Sequence, residues 1–273
     1  MIPLFPLGTP LFPGVVLPLQ IFEPRYRRLM HDLLALPEAG DRRFFGVVAI
    51  RQGWEVEQIA PAEALYDIGC TARVQAVRPQ SDGGFRIVTV GGERFRLLDV
   101  VVGDDPPYLQ AEVEWLVEEE MAEEAAGDHD GIVGPIGLVV PGAHDTGLEE
   151  VVASVARGSM DVLSRNVRDL FTRYVAEVAD LGAGGSGGGE PAVDAETAVL
   201  LHAATGDPTA LSYLVASAAL LTTEDRQSLL AESATRRRLA AESRLLRREL
   251  TLLQTLGAVP VPLRQFAGPM TVN

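Results

Sequence analysis

The sequence predicts an α+β protein, with an N-terminal β-rich lobe followed by a C-terminal α-helical bundle. Three observations carry this expectation. Residues 1–117 alternate short apolar runs with turn residues, the pattern of strands and hairpins. Beyond residue 149 apolar residues recur at three- and four-residue spacing, the pattern of amphipathic helices. Strands come first and helices after, so the order argues against a doubly wound sheet.

The candidate strands are Val15–Leu19, Phe44–Ile50, Thr71–Val77, Phe85–Val90, Phe95–Val101 and Leu109–Leu116. Six short strands with few helices between them predict an antiparallel sheet or a small barrel. Ser81-Asp82-Gly83-Gly84 reads as a hairpin turn, because glycine and aspartate tolerate the positive φ such turns need. In the strand that follows, Phe85, Ile87 and Thr89 lie on one face and Arg86, Val88 and Val90 on the other. One helix interrupts the strands. Pro24 suits a first helical position, Tyr26, Leu29, Met30, Leu33 and Leu34 share a face, and the helix stops before Pro37.

Past the strands, Val155 to Leu181 reads as helix, with Leu163, Val167, Leu170, Tyr174 and Val178 on one face. Leu211, Leu214, Val215, Ala218 and Ala219 form another stripe. Thr222 with Asp225 resembles a capping box. A last helix carries Leu239, Leu246, Leu250, Leu253 and Leu256, has a basic flank of arginines, and ends at Gly257. The predicted division is therefore a β-rich lobe over 1–117, an acidic glycine-rich loop over 118–148, a helix over 149–181, a glycine-rich linker over 182–193, a helical bundle over 194–257 and a tail over 258–273.

Charge follows this division. The chain has 38 acids against 23 basic residues, a formal charge of −15. Residues 112–150 hold 12 acids and no arginine, whereas residues 224–273 hold 8 arginines and 5 acids. So acidic a chain repels phosphate backbones. Nucleic acid is therefore not an expected partner, although the basic flank of the last helix keeps that reading open. The lone Cys70, the absence of arginine from the first 24 residues and the shortness of the apolar stretch Leu211 to Leu221 predict a cytoplasmic protein with no signal peptide and no membrane contact.

Few residues stand in a pattern that carries chemistry. Every basic residue is arginine, which excludes a P-loop lysine, a Schiff-base lysine and a serine–lysine dyad from these residues. Gly182 to Glu190 matches two glycine motifs literally, yet it leaves a helical pattern and runs into Pro191, so it reads as linker. His129 and His144 stand beside Asp128, Asp130 and Asp145 at a spacing that fits no closed zinc or calcium pattern. Cys70 lies in an apolar strand-like run and reads as a buried hydrophobe. No catalytic residue, metal site or cofactor is expected.

The first 26 residues carry the most information. Pro3-Leu4-Phe5-Pro6-Leu7, Leu11-Phe12-Pro13-Gly14, Leu17-Pro18-Leu19 and Ile21-Phe22-Glu23-Pro24-Arg25-Tyr26 interleave prolines with large apolar residues. Such a segment has few ways to lie in a sheet. It resembles the opening of the Lon protease N-terminal, substrate-binding domain family. Phe45-Gly46-Val47-Val48, Ile68-Gly69-Cys70-Thr71-Ala72, Gly92-Glu93-Arg94-Phe95-Arg96 and Pro107-Tyr108-Leu109 resemble the family's later strands. The stretch from Asp225 to Glu249 is similar to its C-terminal helices. The likeness covers residues 1–117 and, less closely, 205–257; residues 118–204 depart from it.

The resemblance implies a PUA-like pseudo-barrel followed by helices, in a stand-alone form without the ATPase and protease modules. It implies a non-catalytic module that recognises unfolded or extended polypeptide segments, acting as a proteolysis adaptor or a holdase, with a protease as a further partner. A concave apolar seam between lobe and bundle would suit such segments. Phe22, Glu23, Arg25, Tyr26, Arg94 and Phe95 are its candidate peptide-binding residues, each of which also fits a plain packing or helix-end role. Two further readings stay open: an unrecognised hydrolase, and a binder of nucleic acid or a small ligand. A homodimer through an exposed apolar stripe on the last helix is also left open.

Overall fold

The computed structural model describes residues 1–37, 43–51, 62–103, 105–119, 146–182 and 206–256. Six strands and five helices are used below: β1 (Ile2–Leu7), β2 (Val16–Ile21), α1 (Pro24–Leu34), β3 (Phe44–Ile50), β4 (Leu65–Pro79), β5 (Phe85–Val101), β6 (Gln110–Leu116), α2 (Thr146–Gly182), α3 (Pro208–Ala218), α4 (Thr223–Ala231) and α5 (Thr235–Leu256). A 3₁₀ turn, Ala62–Ala64, leads into β4. The acidic loop, the glycine linker with its motif matches, the tail and His129, His144 and His202 fall, but for a few end residues, outside the described residues.

The strands form one sheet in the order β2-β5-β4-β3-β1-β6, and β6 pairs again with β5. That second pairing closes β5, β4, β3, β1 and β6 into a ring, with β2 attached to the first half of β5. The sheet is mixed where the sequence predicted antiparallel pairing: β1 and β3 run parallel, Leu4 opposite Gly46 through Leu7 opposite Ala49. A parallel pair needs a crossover of a dozen or more residues. Here β2 and α1 provide it.

β1 is a strand that the six expected ones did not include; its prolines leave it few ways to lie in a sheet, and it takes one of them. The Leu4 N–H donates to the Leu109 carbonyl at 2.8 Å, so even-numbered residues of β1 face β6 and odd-numbered ones face β3. Pro6 faces β6 beyond the last pair on that side, and Pro3 faces β3 before the first. Neither position asks for an N–H. The two runs predicted over 85–90 and 95–101 are one strand, β5, continuous through Gly91-Gly92. The strand predicted over 71–77 extends to Leu65–Pro79. The hairpin turn lies where predicted: Gly83 has φ 79°, and the Gly84 N–H donates to Asp82 Oδ1 at 2.9 Å.

α1 matches its predicted span and buries Tyr26, Leu29, Met30 and Leu33. Tyr26 stacks on Phe5 with ring centroids 4.1 Å apart, and the Tyr108 hydroxyl donates to Asp32 at 2.9 Å. α2 and α3 bury the predicted residues Val167, Leu170, Tyr174, Leu211 and Val215 against one another. The α5 stripe of Leu239, Leu246, Leu250 and Leu253 closes the same core. A homodimer through an exposed stripe here was left open; of the stripe only Leu256 at its end is exposed, because α2 and α3 cover the rest. α4 begins at the predicted cap, where Thr222 Oγ1 accepts the Asp225 N–H at 3.1 Å. The α3 cap, Asp207 accepting from Thr209 and Ala210, went unread.

Candidate functional site

The expected seam between strands and helices is filled. Tyr213, Ala216, Leu229 and Leu230 enter the same core as Phe12, Phe45 and Cys70. Polar groups cross the junction too. Gln227 Nε2 donates to the Ile68 carbonyl at 2.8 Å, and Arg94 donates to the carbonyls of Leu230 (2.8 Å) and Glu232 (3.0 Å). Glu118 holds Arg94 at 2.8 Å and Arg238 at 2.9 Å and accepts from the Tyr213 hydroxyl. The Arg238 guanidinium stacks 4.0 Å over the Tyr213 ring. Burial, the largest influence, and the Glu118 carboxylate raise the Tyr213 hydroxyl pKa, against the lowering by Arg238 and Arg94. The apolar surface expected of the seam is spent on the chain's own packing.

This decides where the six candidate residues stand. Arg94 is 2% exposed and Phe95 fully enclosed, the one tying the strands to α4, the other filling the ring of strands beside Ile2 and Leu4. Tyr26 is buried against Phe5, and burial, chiefly, pushes its hydroxyl up to about 12. These three present no surface to a ligand. Glu23 and Arg25 pair with each other at 2.8 Å, and Arg25 lies 4.7 Å over the Tyr26 ring. Phe22 is different: it is 61% exposed.

Phe22 extends a row. In β2, Leu17, Leu19 and Ile21 turn inward, while Val16, Pro18 and Gln20 turn to solvent; by the same alternation Phe22 follows Gln20. Val16 is 59% exposed, and Val88 of β5, opposite Pro18, is exposed too. Arg86 and Val88 line up with Arg78 and Ala76 of β4. Together they form an open groove over β2, β5 and β4, lined by Pro18, Gln20, Ala76, Arg78, Arg86 and Val88. β2 has a partner on one side only among the described residues. The Gly91 N–H donates to the Val15 carbonyl at 2.9 Å, so the backbone groups of Val16, Pro18 and Gln20 point to the free edge. Pro18 has no N–H to offer there, which blunts the edge against strand addition. What the face offers is side chains. Of its residues the sequence singled out Phe22 alone. The alternation read along β5 put Arg86 and Val88 on one face, but only the strand register brings Arg78 opposite Arg86.

Cys70 is enclosed in the core, and burial, chiefly, pushes its thiol up to about 12, so it is no thiolate nucleophile. Among the described residues no group of histidine, cysteine and carboxylate side chains is placed to hold a metal ion. No described helix is long and apolar enough to cross a membrane. The basic flank of α5 is largely matched: Arg237 pairs with Glu119 and Glu232, Arg238 with Glu118, and Arg248 with Asp225 and Glu249.

Comparison with known proteins gives a consistent picture. The model of the family described as "ATP-dependent protease La (LON) substrate-binding domain" matches residues 1–248. Lon protease 1 of Herpetosiphon aurantiacus is 24% identical over 248 residues, covering 91% of this chain and 24% of that protein. Lon protease 2 of Syntrophobacter fumaroxidans is 32% identical over 109 residues, covering 40% of this chain and 13% of that one. Among solved structures, the N-terminal domain of Mycobacterium avium complex Lon protease superposes with a TM-score of 0.52 at 18% identity, covering 90% of this chain and 97% of its own. The chain thus spans about a quarter or less of the curated relatives it matches.

Proposed function

The chain belongs to the Lon protease substrate-binding domain family, and from that premise we propose that it is a non-catalytic module holding exposed, extended stretches of other polypeptides on the outer face of β2, β5 and β4. The observation that carries this reading is the row Val16, Pro18 and Phe22 beside Val88: large apolar side chains left in water on one continuous face. Exposed apolar rows of this kind gain free energy by meeting apolar side chains of a partner. Glu23 and Arg25, at the end of the row, would orient the bound segment through its backbone carbonyls and N–H groups. The 273 residues contain no lysine, so neither an ATPase P-loop lysine nor a protease dyad lysine resides in them. We read the closed ring of strands as a PUA-like pseudo-barrel, the helices as the bundle that buttresses it, and residue 117 as the boundary between them. We read the cellular role as that of a cytoplasmic proteolysis adaptor or holdase.

Fluorescence anisotropy with labelled, reduced and carboxymethylated lactalbumin, a permanently unfolded chain, tests the reading. Binding is expected without nucleotide. Val16→Ser combined with Phe22→Ser is expected to weaken it about tenfold, since two apolar contacts are lost. Both positions are exposed, so the fold should be retained. Absence of binding by the unsubstituted protein, or full affinity in the double variant, would remove the reading.

A further inference from the structure

Arg78 and Arg86 stand directly opposite one another on β4 and β5. Both are exposed, and neither guanidinium makes a hydrogen bond or ion pair with a described residue. Arg73, opposite Val90 on the same face, is likewise unmatched. Like charges in direct cross-strand register oppose sheet pairing. The contrast within the same strand is informative: Arg96 faces Glu114 across β5 and β6 and holds it at 3.0 Å. A chain with 38 acids and 23 arginines has carboxylates to spare, yet these cross-strand arginines have none among the described residues. The acid on the adjoining turn, Asp82, uses one carboxylate oxygen to cap the Gly84 N–H.

We propose that Arg78 and Arg86 form a carboxylate-binding pair within the polypeptide-binding face, so that the segments it prefers carry an acidic side chain flanked by apolar ones. This rests on the polypeptide-binding reading and adds a sequence preference to it. Two guanidinium forks can grip one carboxylate through paired N–H donors. Pro18, Ala76 and Val88 lie around the pair in the same groove, where the apolar neighbours of that carboxylate would pack. The whole-chain charge of −15 selects among anions. It repels a nucleic acid or an anionic membrane, with many charges each, far more than a single carboxylate.

The test uses short fluorescein-labelled peptides that share one set of apolar residues and differ only in carrying glutamate, glutamine or lysine. At low ionic strength the glutamate peptide should bind about tenfold more tightly than the glutamine peptide, with the lysine peptide weakest, and added salt should narrow the gap. In the Arg78→Gln, Arg86→Gln double variant the glutamate preference should vanish, the glutamate and glutamine peptides binding that variant equally. Equal affinity for glutamate and glutamine peptides overturns the carboxylate pair and leaves the polypeptide-binding reading standing. Failure of every peptide to bind overturns both. Tighter binding of an oligouridylate or a phosphatidylglycerol vesicle through the same two arginines overturns the choice of partner.

Discussion

Glu242 of α5 is a carboxyl group sealed in the helical core, with neither oxygen hydrogen-bonded. Burial raises its pKa well above the ordinary 4.5, and Arg238, one turn earlier, lowers it by less than that. The folded chain therefore keeps a proton that the unfolded chain releases above about pH 4.5. Its stabilising effect is complete below that pH and is lost as pH rises through the folded-state pKa. Glu242→Gln keeps the shape and needs no proton. In urea denaturation the variant is expected to match the parent near pH 4.5 and to exceed it by about 1–3 kcal/mol at pH 8. A variant that is less stable at pH 8, or a gap that does not grow with pH, would show that the carboxylate has a partner in the folded chain.

Strand β5 shows how a single backbone position shapes an element. A Cβ on Gly91 would lie 1.9 Å from the Phe12 carbonyl oxygen, while the Gly91 backbone binds Val15 and Gly14 at 2.9 Å each. Gly91→Ala must push the 12–15 segment off the strand, at a cost of about 3 kcal/mol or more. Gly14→Ala meets open space and has only its φ of 74° to oppose it, about 1 kcal/mol. Urea titration of the two variants should rank them in that order, and the reverse order would mean that β5 shifts freely at Gly91. The same glycine explains part of what the sequence concealed. Read locally, Gly91-Gly92 looks like the end of a strand; only the approach of Phe12, 79 residues away in sequence order, makes it the interior of one. α1 was legible almost to the residue because its proline start and helical period are local signals. β1 was not, because whether Pro3 and Pro6 break a sheet depends on which neighbour stands on which side. The site divides the same way. Phe22 could be read from its place among prolines, whereas the Arg78–Arg86 pairing needs the register that the turn from Gln80 to Gly84 sets between β4 and β5. Arg94 and Phe95 carried a family motif, but a motif marks fold and surface alike, and here it marks the junction and the core.

At the scale of the whole molecule, the strands and helices behave as one body to the extent that the junction around Glu118 holds. Glu118 follows β6, Arg94 lies in β5, and Tyr213 and Arg238 belong to α3 and α5, so four elements meet at one carboxylate. Arg238 is fully enclosed and also donates to Ser212 Oγ at 2.7 Å and to the Glu232 carbonyl at 2.5 Å. Breaking a buried charged pair by removing one partner costs more than the pair contributes, because the abandoned groups stay desolvated. Arg94→Met would take the side-chain donor from the Leu230 carbonyl, leave the Glu232 carbonyl to Arg238 alone and remove one of the two cations at Glu118, a loss of about 3 kcal/mol. The loss falls on the junction, with the interiors of strands and helices left intact, so the expected signature is uncoupling. In the parent, guanidinium unfolding followed by the fluorescence of Trp115, which lies beside Phe95, in a Trp54→Phe background that removes the other tryptophan, should coincide with unfolding followed by the helical circular dichroism signal. In Arg94→Met the two curves should separate, with the less stable part melting first. Coincident curves at the parent's midpoint would mean that Tyr213, Leu229 and Leu230 hold strands and helices together by apolar packing alone.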